Sequence, residues 1–384
     1  MGDSLTIKPV LANGPTAKLS GPPDNGQKET VPPINNQAAI IPLLERSGVP
    51  TSAYVPSPDT TSDFLLVSDS GKVFTMPVFP NGKEISGIKG NYTIIERVGI
   101  GGVGEVYKAK NNDTGEFAAV KVVSLENRHN PVVVARFLKE IEITNRLQHP
   151  GIIRIIDLEK TDGKNDQEHP PCFLVMPYIE GGSLEQELKK NHKINPIDVV
   201  KIAIGISDAL DHAHRQRPSI LHRDIKPGNI MLDDKGNPIL VDFNIGSIED
   251  ASTINPTGQE LPKTYHYMSP EQARGIGKEQ LPPATDLFSL GSTMFHLVTG
   301  EYPFTGDKPG IVSTRIQDPF DYPKLPHEIN PEVPLELSVL IMDIMAKDYQ
   351  DREDMFPQGA LSVKQRLCWI LSDMEKDKST SVAA

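Results

Sequence analysis

Residues 221–243 constrain the fold and the chemistry of this chain more than any other stretch. There an acid, Asp224, follows a basic pair, Lys226 comes two positions later, Asn229 comes three further on, and Asp242 ends an apolar run. Transfer of a phosphoryl group to a hydroxyl requires an acceptor for the hydroxyl proton, a cation near the phosphoryl group and oxygen ligands for Mg²⁺. The segment therefore predicts phosphoryl-transfer chemistry.

The composition fits one two-lobed globular domain with an appendage. The chain has 384 residues, of which 38% are hydrophobic, enough for a sizeable core. Its formal charge of −12 argues against binding to nucleic acid or anionic lipid, which require a basic surface. Cys172 and Cys368 are far apart, so no disulfide framework is expected. No apolar run is long enough to span a membrane and no export signal is evident, so we expect a cytoplasmic location.

Smaller regions flank the predicted catalytic domain. Residues 1–60 are rich in Pro, Gly, Asn, Ser and Thr and are expected to be largely disordered. In the extension at 61–90, two β-prone runs at 63–67 and 72–76 flank a turn and predict a hairpin. This hairpin either packs on the next domain, which we favour, or mediates self-association through residues 63–79. The expected remaining boundaries are a domain at 91–371, with lobes at 91–176 and 180–371, and a polar tail at 372–384.

A glycine-rich turn follows a predicted strand at 92–98. A lone G-x-G-x-x-G is weak evidence, because it also opens dinucleotide-binding folds. Here, however, residues 105–110 and 117–123 look like two further strands, whereas a dinucleotide turn is followed by a helix. The glycines therefore lie at the tip of a strand-turn-strand flap, where backbone N–H groups can approach phosphates closely. The flap is Gly99-Ile100-Gly101-Gly102-Val103-Gly104-Glu105-Val106.

Lys121 stands alone in the nearly all-apolar strand 117–123. A lysine in such a run is costly unless it is paired or binds a ligand. Asn130 and Pro131 can cap and start a helix, and Glu140 lies beside the apolar stripe of that helix, nineteen residues after Lys121. We therefore predict that Glu140 is the counter-ion of Lys121. The stripe consists of Val133, Phe137, Ile141 and Thr144.

Two further strands, 152–158 and 172–176, lead into a short bridge to the next helix. If this bridge binds adenine, Pro177 need offer only its carbonyl, while Ile179 can both donate and accept a hydrogen bond. A long helix beginning at Asn195 and Pro196 then leads to the central segment. A small β pair after that segment presents Asp242 at its end.

Taken together, these motifs resemble the eukaryotic-like serine/threonine protein kinase superfamily, including its bacterial members. The resemblance runs from about Tyr92 to about Leu371 and implies an α+β bilobal protein kinase fold, with a β-rich N-lobe carrying one regulatory helix and a larger helical C-lobe. Each motif alone is weak, but all of them occur in the family's order. The matching motifs are Gly99-x-Gly101-x-x-Gly104-x-Val106, Ala119-Val120-Lys121, Glu140, His222-Arg223-Asp224-x-Lys226-x-x-Asn229, Asp242-Phe243 and Ser269-Pro270-Glu271.

The resemblance implies a role for each matching residue. Asp224 would accept the hydroxyl proton, Lys226 would neutralise the γ-phosphoryl charge, and Asn229 and Asp242 would ligate Mg²⁺. Lys226 two residues after the acid is the serine/threonine pattern, so the expected reaction is transfer from ATP to Ser or Thr hydroxyls of protein substrates, including the chain itself. The implied ATP-binding set is Val98, Gly99, Ile100, Gly101, Gly102, Val103, Gly104, Glu105, Val106, Ala119, Lys121, Glu140, Met176, Pro177, Ile179 and Met231.

The segment from Asp242 to Glu271 resembles an activation segment. By this resemblance Thr264 bridges Asp224 and Lys226, Glu271 pairs with Arg352, and Asp286 anchors the central loop. Arg223 resembles members in which a phosphate orders this segment, and among Ser252, Thr253 and Thr257 we favour Thr253. Departures from the family pattern are Asn244 in place of Gly, Ser269 in place of Ala, and Lys263 in place of Gly.

Two other functions compete with this interpretation. A pseudokinase or nucleotide-binding scaffold would usually lack the lysine or one of the acids, and none is missing here. A small-molecule phosphotransferase of related architecture would generally lack the glycine flap and the segment ending in Pro-Glu. The sequence therefore favours a protein kinase that uses ATP and Mg²⁺.

Overall fold

The computed structural model describes residues 5–7, 65–68, 73–75, 78–100, 104–124, 127, 128, 130–160, 172–243 and 263–383. The chain divides into two units, Met1–Phe79 and Pro80–Ala384.

The first unit contains a three-stranded antiparallel sheet of order β1-β2-β3, formed by β1 (Leu5–Ile7), β2 (Leu65–Ser68) and β3 (Val73–Thr75). β2 and β3 pair with Leu66 opposite Phe74, as the two β-prone runs predicted. β1 pairs with β2 and lies within residues 1–60, the stretch that we expected to be largely disordered.

The N-lobe of the second unit is a six-stranded antiparallel sheet of order β4-β5-β6-β7-β9-β8. The sheet extends to the N-terminal side of the predicted domain start at residue 91, because β4 pairs with β5. The segment after β4 also bonds to the far edge of the sheet, where the Ile88 amide donates to the Leu158 carbonyl at 2.9 Å. The strands are β4 (Glu84–Ser86), β5 (Asn91–Ile100), β6 (Gly104–Asn111), β7 (Phe117–Val123), β8 (Asp157–Leu158) and β9 (Phe173–Pro177).

One helix, α1 (Pro131–Arg146), packs on this sheet. The Asn130 side chain accepts a hydrogen bond from the Val132 amide at 3.0 Å, so the helix begins where Asn-Pro predicted. Phe137, Ile141 and Thr144 of the predicted stripe are buried. This anchored face fixes the position of Glu140 relative to the sheet.

The strand predicted at 152–158 is shorter than expected. Only Asp157 and Leu158 pair with β9. Ile152 instead forms a bridge with Leu240 of the C-lobe, and the Ile153 amide donates to the Leu240 carbonyl at 2.9 Å. The first half of the predicted strand therefore connects the two lobes.

The C-lobe is helical, and its apolar core includes the buried side chains of Ile206, Phe295, Leu340 and Leu367. A small antiparallel pair, β10 (Ile230–Leu232) and β11 (Pro238–Leu240), lies at its surface toward the N-lobe. The helices are α2 (Leu184–Asn191), α3 (Pro196–His214), α4 (Pro270–Ala273), α5 (Ala284–Thr299), α6 (Pro309–Gln317), α7 (Pro326–Ile329), α8 (Leu335–Ile344), α9 (Tyr349–Met355) and α10 (Ala360–Ala383).

The boundary expected at residue 371 falls inside α10, which continues without a break to Ala383. Leu371 and Met374 pack against the C-lobe core. Lys201 of α3 lies 3.2 Å from the Glu375 carboxylate. Within the described part of the chain, no helix combines the length and the apolar character needed to cross a membrane.

Candidate active site

The loop between α3 and β10, which carries Asp224, is anchored by a buried acid. Asp286 in the first turn of α5 is fully buried and accepts hydrogen bonds from the amides of His222 at 2.8 Å and Arg223 at 2.7 Å. His214 Nε2 lies 2.8 Å from the same carboxylate. Burial alone would raise the pKa of Asp286, but these partners hold it below its ordinary value. The predicted anchoring role of Asp286 is therefore present in the geometry.

His222 ties the same loop to the end of the β10–β11 pair. Its Nδ1 accepts from the Asp224 amide at 3.3 Å, and its Nε2 lies 3.0 Å from the Val241 carbonyl. The ring packs on Phe243, with the centroids 4.7 Å apart. Burial lowers the pKa of His222, which keeps the ring neutral with the proton on Nε2.

Asp224 lies at the centre of a small hydrogen-bonded group. Its Oδ2 accepts from Lys226 Nζ at 2.7 Å and from Asn229 Nδ2 at 2.9 Å. Asn229 Nδ2 also donates to the Asp224 backbone carbonyl at 2.8 Å. The amide nitrogen of Asn229 is thus turned toward Asp224, which directs its oxygen to the other side. The three residues predicted to be catalytic lie together.

Lys121 joins the two lobes. Its Nζ lies 2.6 Å from Glu140 Oε1 of α1 and 2.7 Å from Asp242 Oδ1 of the C-lobe. Burial would lower the pKa of Lys121, but the two carboxylates hold it above its ordinary value. The charge of Lys121 in turn holds the pKa of Asp242 below its ordinary value. The predicted Lys121–Glu140 pair is confirmed, and Asp242 is charged at neutral pH.

The strand register explains how Lys121 reaches this position. Val120 and Val122 are fully buried, and because side chains alternate along a strand, Lys121 lies on the opposite face of β7 together with Ala119. Lys121 pairs with Val106 on β6, and Ala119 pairs with Met176 on β9. These neighbours form the apolar surface predicted to contact adenine.

The remaining predicted adenine contacts lie at the junction of the lobes. Pro177 ends β9, Ile179 lies in the following bridge, and Met231 in β10 forms a backbone bridge with Ser183. Val98 and Ile100 of β5 are 47% and 64% exposed, so they are accessible to a ligand.

Of the predicted ATP-binding set, Glu105 turns its side chain away from Val106, while its backbone lies at the start of β6. It is adjacent to Val106 on β6, so their side chains point to opposite faces of the sheet. The Glu105 carboxylate is buried, accepts from Arg97 Nη1 at 2.8 Å and bonds to the hydroxyl of buried Tyr107. Its carboxylate therefore stabilises the flap strands from the side away from Val106.

The glycine flap is described only at its ends. Gly99 pairs with Val106, while a Cβ at Gly104 would lie 1.8 Å from the Val122 carbonyl oxygen, so the strands can pair there only with glycine. Gly101, Gly102 and Val103 lie outside the described residues, as do Asn244 and the predicted phosphosite Thr253. The backbone of Thr264 lies in a 3₁₀ turn, Lys263–Tyr267, and its side chain is outside the described part of the structure. Its contact with Asp224 and Lys226 stays a prediction.

The end of the activation segment is fixed by a buried ion pair. Glu271 bonds to Arg352, and both side chains are fully buried, which confirms the predicted pair. Thr285 also donates to Glu271 at 2.8 Å, and Arg352 Nε donates to the Ala284 carbonyl at 3.0 Å. These bonds attach α4 to α5, the helix that anchors the Asp224 loop.

Sequence reasoning missed a cavity of about 610 Å³ beside Lys226. It lies between α2 and the end of α5, where Tyr267 Oη and His296 Nδ1 are 2.7 Å apart. Its lining comes from separate parts of the C-lobe, so no local pattern could have identified it. The polar lining residues include Glu185, Lys189, His192, Tyr267, His296 and Tyr302.

Comparison with known proteins agrees with this geometry. Residues 92–358 match the family model of the protein kinase domain. The chain belongs to the protein kinase family. This kinase chain is 33% identical over 302 residues to a probable serine/threonine-protein kinase of Clostridium perfringens, an alignment that covers 78% of the chain and 41% of that relative.

Two further bacterial relatives are similar. The serine/threonine-protein kinase PrkC of Bacillus subtilis is 34% identical over 278 residues, covering 71% of this kinase chain and 40% of the relative. PknA of Mycobacterium tuberculosis is 31% identical over 264 residues, covering 68% and 59% respectively. The chain thus spans about two fifths of the length of the Clostridium and Bacillus relatives. The resemblance to bacterial members of the family, and with it the α+β bilobal fold, is confirmed.

Proposed function

We propose that this chain is an ATP-dependent serine/threonine protein kinase that transfers the γ-phosphoryl group of ATP to hydroxyls of protein substrates. The observation that carries the proposal is the convergence of two groups, which are Lys121 with Glu140 and Asp242, and Asp224 with Lys226 and Asn229. The groups adjoin because the Val241 amide, next to Asp242, donates to the Asn229 carbonyl at 3.0 Å. Its relatives' names, which specify serine/threonine-protein kinases, support this choice of acceptor.

The residues present fit a magnesium–nucleotide complex. The Asp242 carboxylate and the Asn229 amide oxygen are the hard ligands that Mg²⁺ prefers, and Mg²⁺ usually takes only one or two protein ligands beside phosphate and water. Among the described residues no group of three or more His, Cys, Asp or Glu side chains could hold a metal alone, which agrees with a shared site. Bound ATP would supply the phosphoryl group, and Mg²⁺ would reduce the negative charge on the phosphate oxygens.

The chain's own residues then have separate tasks. Asp224 accepts or orients the proton of the acceptor hydroxyl, and Lys226, bonded to the same carboxylate, stabilises negative charge on the transferred group. Lys121, held by Glu140, binds phosphate oxygens of the nucleotide. Ala119, Val106 and Met176 exclude water from the purine side.

A phosphate-transfer assay tests the proposal. Purified full chain is incubated with radiolabelled ATP, Mg²⁺ and a generic basic protein, and the labelled residues are identified by mass spectrometry. We expect phosphoserine or phosphothreonine with the wild-type chain and a loss of about 100- to 10,000-fold in rate for Asp224→Asn, because general acid–base catalysis typically contributes 10²–10⁴-fold. A wild-type rate equal to that of Asp224→Asn would contradict the proposal and favour a pseudokinase.

The same experiment addresses self-modification. We propose that the chain also phosphorylates itself, with Thr253 as the first site, because Arg223 precedes Asp224 and arginine binds phosphate in a bidentate manner. Recovery of Thr253 unmodified after incubation with ATP would contradict this assignment. A cytoplasmic location and self-association through residues 63–79 stay predictions.

A further inference from the structure

Gln272 makes three hydrogen bonds at the end of the activation segment. It follows Glu271 in α4 and is only 4% exposed. Its Oε1 accepts from the Ser269 amide at 3.0 Å, while its own amide donates to Ser269 Oγ at 3.3 Å, which together form a capping box. Its Nε2 donates to the backbone carbonyl of Arg223 at 2.9 Å, across 49 residues of sequence.

The acceptor of that third bond directly precedes Asp224. Arg223 has φ of 66°, a left-handed conformation that is unfavourable for a residue with a side chain. Such a conformation persists only when its surroundings fix it from several directions. The Arg223 amide donates to Asp286 Oδ1 at 2.7 Å and its Nη2 donates to the Lys278 carbonyl at 2.9 Å. Gln272 fixes the remaining backbone group, the carbonyl of the peptide that joins Arg223 to Asp224.

We infer that Gln272 is a positioning residue for Asp224, which acts by holding the Arg223–Asp224 peptide plane. This inference rests on the proposed kinase function. Rotation of that plane would move the backbone nitrogen of Asp224 and with it the bonds of its carboxylate to Lys226 and Asn229. Because α4 lies at the end of the activation segment, Gln272 also connects that segment to the catalytic loop.

A matched pair elsewhere in the chain separates this role from ordinary helix capping. Ser183 and Gln186 form the same capping box at the start of α2, with distances of 2.9 Å and 3.3 Å. Gln186 is exposed, and its hydrogen bonds in the described structure go to Ser183 rather than to the catalytic loop. Gln186→Glu therefore reproduces the chemical change at a capping box without touching Arg223.

The decisive variant is Gln272→Glu. The new carboxylate can still accept from the Ser269 amide, but it places an oxygen, in place of the donor nitrogen, against the Arg223 carbonyl. We expect kcat to fall about 10- to 100-fold, because a buried carbonyl loses its partner next to the reacting group, while the KM for ATP changes by less than about twofold. Hydrogen exchange of a peptide containing residues 222–225 should accelerate in Gln272→Glu and stay unchanged in Gln186→Glu.

Ser269→Ala provides a second variant, since it removes the hydroxyl of the cap and retains the bond from Gln272 to Arg223. It should lower the unfolding temperature with a smaller loss of kcat than Gln272→Glu. Equal losses of kcat in Gln272→Glu and Ser269→Ala, or normal kcat in Gln272→Glu, would overturn the inference. If wild type and Asp224→Asn were equally inactive, the proposed function would fail, whereas the exchange comparison would still decide whether Gln272 holds the loop.

Discussion

The buried pair of Arg352 and Glu271 gives a sharp test of how the C-lobe holds the activation segment. Both side chains are fully inaccessible to solvent, and Arg352 also donates to the Ala284 carbonyl at 3.0 Å. Arg352→Met retains most of the side-chain length but removes the charge. In this variant Glu271 stays buried, and among the described residues its remaining hydrogen bond comes from the Thr285 hydroxyl at 2.8 Å.

The size of the effect follows from burial. Removing one partner of a buried ion pair typically costs about 3–5 kcal/mol, because the other charge stays buried without compensation. A domain of this kind is stable by only about 5–15 kcal/mol, so Arg352→Met removes a large share of its stability. At roughly 2–4 °C per kcal/mol for a domain of 150–250 residues, we expect the unfolding temperature to fall by about 6–20 °C.

Urea denaturation of the full chain, followed by circular dichroism, measures this loss. The control is Lys190→Met, whose partner Glu187 lies at a similar distance of 2.8 Å while the Lys190 side chain is 67% exposed. An exposed pair of this kind contributes at most about 0.5 kcal/mol. Equal destabilisation by Arg352→Met and Lys190→Met would refute the reasoning. Adding Glu271→Gln to Arg352→Met should recover part of the loss, since the unpaired charge is then removed.

Two further predictions concern the loop and the flap. Burial lowers the pKa of His222, so the folded state favours the neutral ring. The neutral ring contributes its full stability above about pH 6.5, the ordinary pKa of histidine. This contribution is lost as the pH falls through the lower pKa that His222 has in the folded state. Urea denaturation at pH 7.5, 6.5 and 5.5 should show a smaller decline for His222→Gln than for wild type, and an equal decline would contradict this. Gly104→Ala should lower the unfolding temperature far more than Gly99→Ala, because the new Cβ meets the Val122 oxygen at 1.8 Å in the first case and Val106 Cβ at 3.7 Å in the second. Similar unfolding temperatures would show that β6 and β7 separate there easily.

Local chemistry predicted the parts of the fold that depend on neighbouring residues. Asn-Pro marked the start of α1 and α3, where Asn130 and Asn195 both cap the first turn. The cost of an unpaired lysine in an apolar strand was enough to identify Glu140 as the partner of Lys121. Such rules succeed because their energetic cause lies within a few residues or in one strong charge.

Other parts depend on partners that no local pattern specifies. β4 is a strand because β5 and the segment around β8 supply hydrogen bonds on both sides. Residues 152 and 153 lie outside the N-lobe sheet because Leu240 offers them a partner. The side-chain direction of Glu105 is different, since strict alternation along β6 already places it opposite to that of Val106. For Gln272 the spacing Ser-x-x-Gln predicts a capping box, but the bond to Arg223 comes from tertiary packing.

The two acids of the site are held in different ways, which follows from the backbone around each. Arg223, before Asp224, and Asp242 itself both have left-handed conformations, with φ of 66° and 58°. Each costs about 1–2 kcal/mol and needs compensation. At Arg223 the compensation comes from Asp286, Gln272 and the Lys278 carbonyl, all within the C-lobe. At Asp242 the described side-chain bond comes from Lys121 in the N-lobe. The orientation of Asp224 therefore belongs to the C-lobe alone, whereas that of Asp242 depends on how the two lobes are arranged.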